Sequence, residues 1–144
     1  MKTFSITKIF WLLVGVFIFV LCQLFFPFLN QLFSGSVLFL IPLAGFSLLG
    51  LALLVLTLKQ KPEKTLRKFL LLTAISSTGF FVSVVLHNLF YALAIVVEDI
   101  VVLNYMAEGL DIAFFFIGVV ACPIGFLIGM IGSAILLAKK GRKN

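Results

Sequence analysis

Four stretches of this chain run with hardly a polar side chain, and the charged residues gather between them. Residues 9–28, 37–58, 69–97 and 112–138 hold no Asp, Glu, Lys or Arg. Each reaches the ~20 apolar residues that a helix needs to cross the hydrocarbon core of a bilayer. None alternates apolar with polar positions as a barrel strand does, and backbone groups in lipid must be satisfied within their own segment. The pattern predicts an all-α membrane protein, a single domain over residues 1–144 folded as a four-transmembrane-helix antiparallel bundle.

A finer period runs inside the last two stretches. At ~100° per residue, Thr73, Ser76, Gly79, Ser83 and His87 fall on one stripe, Tyr91 continues it, and Asn88 stands beside its outer end. Gly118, Cys122, Gly125, Gly129 and Gly132 form a second stripe in the fourth span, with Ser133 at its edge. Small residues let helix backbones approach closely, and Gly125 with Gly129 makes a Gly-x-x-x-Gly pair. The glycine seam is therefore expected to pack on the polar seam, leaving Phe114, Phe116, Phe126 and Leu127 to face lipid or fill gaps. Pro123 cannot bond the carbonyl of Val119, so a kink is expected there.

Charge gives the orientation. All 11 Lys and Arg lie in three places: before the first span, between the second and third, and in the tail. The connection "LNQLFSGS" is uncharged, and "EDIVVLNYMAEGLD" carries four acids and no base. Basic residues resist translocation, so both termini and the second connection are expected in the cytoplasm. The third connection is expected outside, as a short outer cap on the membrane surface. Asn30–Ser36 reads as a turn, and Pro62 precedes the start of the third helix. "FVLCQLFFPF" offers no small-residue cleavage site, so the first span is read as retained.

Composition narrows the partners. At 63% hydrophobic and 11% charged, the chain departs from a soluble domain, which is about half apolar and a quarter charged. The net charge of +6 is dispersed over span ends rather than gathered on one face, which excludes a nucleic-acid footprint. The expected partners are the lipid bilayer, anionic headgroups at the cytoplasmic face, and a second copy or another membrane protein. The expected location is the cell membrane, a prokaryotic plasma membrane.

Candidate chemistry is sparse. Cys22 and Cys122 sit in apolar runs without a Cys-x-x-Cys and read as small fillers. His87, the only histidine, lies 19 residues beyond Lys68, or about 28 Å up a helix, near the outer edge of the core. With Asn88 it reads as an interfacial hydrogen bonder tying the third helix to a neighbour. The competing reading makes it a proton acceptor or metal ligand with Glu98 or Asp99, since intramembrane ionisable groups are functional by default.

"VLHNL" in the third span and "ACPIGFLIGMIGS" in the fourth resemble uncharacterised small four-helix integral membrane proteins of prokaryotes. That resemblance implies the four-helix fold and brings no activity, ligand or catalytic residue. The glutamate that small multidrug transporters carry in their first helix, the cysteine pairs of thiol oxidases and the catalytic sets of intramembrane proteases have no counterpart in the spans. The chain is expected to be non-enzymatic, with no catalytic, cofactor or metal residues, acting as an assembly partner or accessory subunit. The alternative is a small transporter or channel for a proton, ion or small cation along Thr73, Ser76, Ser83 and His87.

Overall fold

The computed structural model describes residues 2–26, 28, 31 and 40–141. Helices that the described residues define end to end are α1 (Lys2–Phe25), α2 (Leu40–Gln60), α3 (Lys64–Val96), α4 (Val101–Phe116) and α5 (Cys122–Gly141), and Phe28 and Gln31 are helical too. A π-helical turn, Ile117–Ala121, joins α4 to α5. Among the described residues there is no strand. Four helical segments are long and apolar enough to cross a membrane, the last running through the π turn from Val101 to Lys140. The turn expected at Asn30–Ser36 lies, apart from Gln31, outside the described residues, as do Arg142 and Lys143.

Packing is sequential: α1 lies on α2, α2 on α3, and α3 on α4, the π turn and α5. The core draws on every span, with Ile6, Phe10 and Leu13 of α1, Phe46 and Leu53 of α2, Leu66, Leu70 and Ala74 of α3, and Phe126 of α5. At its centre Phe126 packs on Phe17 and Phe46, with ring centroids 4.5 and 5.0 Å apart. Phe126 is thus a core residue, 1% exposed, whereas Phe116 and Leu127 are exposed. Between α2 and α3, Gly50 faces the Ser77 and Thr78 hydroxyls, and Ser47 donates to the Thr78 carbonyl at 3.4 Å. Lys61, with φ 46°, turns the chain out of α2.

The segment "EDIVVLNYMAEGLD" does not form a separate cap between the third and fourth spans. The chain reverses at Val97–Ile100, where Ile100 N–H bonds Val97 O at 2.8 Å, and helix resumes at Val101. No proline stands between Pro62 and Pro123, and Gly109 costs a helix only about 1 kcal/mol. Glu108 and Asp111 therefore ride on a helix continuous with the fourth span. The proline effect appears upstream of Pro123 as the π turn, in which Cys122 N–H reaches back to Ile117 O. Proline and a π turn are both recognised seats of a helix kink.

Candidate functional site

The two stripes meet. A Cβ on Gly125 would stand 2.5 Å from Ser76 Oγ, and one on Gly129 would stand 2.6 Å from the Thr73 backbone nitrogen and 2.9 Å from Phe69 O. Gly132 faces the Phe69 ring, Gly118 faces Ser83, and Cys122 Sγ would lie 3.3 Å from a Cβ on Gly79. Thr73, Ser76, Ser77 and Ser83 are all buried. Two of their hydroxyls return to their own helix, Thr73 to Phe69 O at 2.9 Å and Ser77 to Ala74 O at 3.2 Å. That leaves the seam filled by backbone and small side chains.

Farther out, α2 begins at Leu40, above Ser47 and its bond to Thr78. On α3 the same rise reaches the level of Ser83 to His87. Beyond that level, among the described residues, α3 and α4 continue as a two-helix arm. Of residues 88–110, only Ala107 is buried, and Val96, Val102, Tyr105 and Met106 are among the exposed apolar side chains.

His87 sits at the base of this arm. Its Nδ1 lies 2.6 Å from Asp111 Oδ1, with side chains 31% and 18% exposed. The ring also packs on Phe115 at 5.4 Å, and one turn on Phe90 stacks on Phe114 at 5.6 Å. The acid that meets His87 is Asp111, not Glu98 or Asp99, because those two residues form the reversal itself. His87 and Asp111 stand equally far from Asp99 along the sequence, a signal available once the segment is read as a hairpin. Asn88 does not join the seam. Its Nδ2 donates to Val84 O on its own helix at 2.8 Å, in an exposed position.

Asp111 also borders a recess of about 440 Å³ between the arm helices, which Tyr91, Glu98, Asn104 and Glu108 help to line. The arm, residues 84–117, holds four carboxylates and no Lys or Arg. Among the described residues no three metal-ligating side chains converge. Comparison with family models, curated proteins and solved structures finds no match.

Proposed function

We propose that this chain is a multi-pass protein of a prokaryotic plasma membrane and works without catalysing a reaction, as an assembly partner or accessory subunit. Its helices run antiparallel, and both termini and the α2–α3 connection lie in the cytoplasm. The basic side chains at that face, Lys59, Lys61, Lys64 and Lys68, are exposed and lean on anionic headgroups. The support for orientation is the distribution of charge. Fusions at Asn144 and beside Pro62 are expected to be active only with cytoplasmic reporters, and an external signal at either site overturns the topology.

The observation that carries the assembly reading is the arm. With one buried side chain in 23 residues on a helix pair longer than the ~30 Å of a hydrocarbon core, the arm carries apolar side chains beyond what lipid covers, and an apolar patch outside lipid marks an interaction surface. A photo-crosslinking amino acid in place of Tyr105, in intact cells, is expected to give a discrete adduct with another polypeptide or a second copy. A protein that runs as an uncrosslinked monomer from native membranes contradicts this.

The second reading, a small transporter, draws on the acidic recess beside the His87–Asp111 pair. Against it stands the Thr73–Ser83 stripe, which is packed against glycine backbone rather than lining a path. Liposomes containing the purified chain are expected to show no flux of protons, metal ions or cationic dyes.

A further inference from the structure

Where α1 passes α5 the bundle is not sealed. Beside the Phe17–Phe126 ring contact, a crevice of about 240 Å³ opens, with Phe46 in its wall. Val20 and Leu21 of α1, Leu43 of α2, and Cys122, Pro123 and Leu127 complete much of its lining. Leu21 and Leu127, at the rim, are exposed on the outside of the bundle.

Four observations limit what can occupy it. First, the lining is almost wholly apolar, and a buried water needs two to four polar partners, so water does not fill it. Second, apolar space left empty forfeits dispersion contacts along every wall, and this crevice exceeds the ~150 Å³ that already admits benzene. Third, Phe126 lies 13 residues from Lys139 and Phe46 lies 13 residues from Lys59. Both are therefore about 20 Å from the basic end, at a depth where the surrounding solvent is hydrocarbon. Fourth, at the ~30 Å³ that a water molecule takes in the liquid, the volume suits about eight groups of that size, a stretch of acyl chain, and the apolar lining offers a headgroup no polar partner.

We infer that the crevice between α1 and α5 is a binding site for one hydrocarbon chain of a bilayer lipid, which enters past Leu21 and Leu127 and lies on the rings of Phe17, Phe46 and Phe126. The aromatic floor is rigid because its three rings hold one another. The π turn and Pro123 sit at the α5 wall, where a regular helix would carry its side chains in a different phase. The inference is independent of the assembly role.

The test uses the full chain in nanodiscs of phosphatidylcholine carrying a diazirine midway along one acyl chain, with adducts mapped by mass spectrometry after irradiation. Adducts are expected on Phe46 and Phe126, which are 5% and 1% exposed, and not on the equally buried Leu53 away from the crevice. Val20→Trp, which fills the space, is expected to abolish those adducts while labelling of the exposed Ile18 and Ile128 persists. Leu43→Trp fills it from the opposite wall if Val20→Trp does not assemble. Labelling confined to Ile18 and Ile128 in the unaltered protein overturns the proposal. So does labelling of Phe46 and Phe126 by a compact apolar diazirine but not by the lipid, which would make the occupant a small apolar molecule.

Discussion

His87 illustrates how little a lone imidazole says until its partner is known. In the sequence its surroundings are apolar but for Asn88, and a hydrogen-bonding role could be argued only from that neighbour and from its place on a stripe with Ser83. The structure supplies the partner, Asp111 at 2.6 Å, from a segment whose acids read as a cap. Losing one member of such a pair leaves the other half-buried without a counterpart, at a cost of about 1–3 kcal/mol. The lower end applies here because a third of the ring meets solvent, where pairing is screened. His87→Leu and Asp111→Asn are each expected to lower the unfolding midpoint in detergent, and the double change to cost little more than either alone. His87→Gln, which keeps a donor, is expected to fall between His87→Leu and the unaltered chain. Additive losses would mean that the two residues act separately.

The spans were legible in the sequence because apolar runs without charges have one interpretation in lipid, and four such helices are present. The packing face was legible for a related reason. Gly125 and Gly129 recur every four residues, and the close approach of Ser76 and Thr73 leaves no room for a side chain at either. The arm was not legible, because four acids within "EDIVVLNYMAEGLD" resemble a connection, while the physical determinant was the absence of any helix breaker. The crevice was invisible for a different reason, since it depends on how far α1 stands from α5. The glycine positions separate two classes of substitution. Gly129→Leu is expected to destabilise the fold by about 1–3 kcal/mol or more through overpacking. Gly15→Ala and Gly109→Ala, where an added Cβ meets nothing within 4 Å, are expected to be neutral or to stabilise by about 0.5–1 kcal/mol through reduced backbone entropy. Thermal unfolding of the three variants checks this, and a similar shift in all of them would remove the distinction.

Among the described residues the spanning helices have two lengths. α1 and α2, at 24 and 21 residues, span about 36 and 32 Å, whereas the 33 residues of α3 span about 50 Å. Among the described residues, α1 and α2 therefore match a hydrocarbon core of ~30 Å, and α3 with α4 presents apolar side chains well past that length. In the membrane placement proposed above, surrounding lipid would meet a step: thin along α1 and α2, thick along α3 and α4. Mismatch of this kind costs fractions of a kcal/mol per Å and biases which membranes a protein occupies. In nanodiscs, which leave both faces open, and in a chain with Cys22 and Cys122 replaced by Ala, Tyr105→Cys is expected to react with a hydrophilic maleimide more slowly as the acyl chains of the bilayer are lengthened. Lys61→Cys at the opposite face is expected to keep its rate, and equal behaviour of the two would mean that the arm never meets the bilayer surface. Where membranes of two thicknesses adjoin, such a stepped profile fits the boundary better than either side of it, so bilayer thickness itself would help to decide where the arm finds its partner.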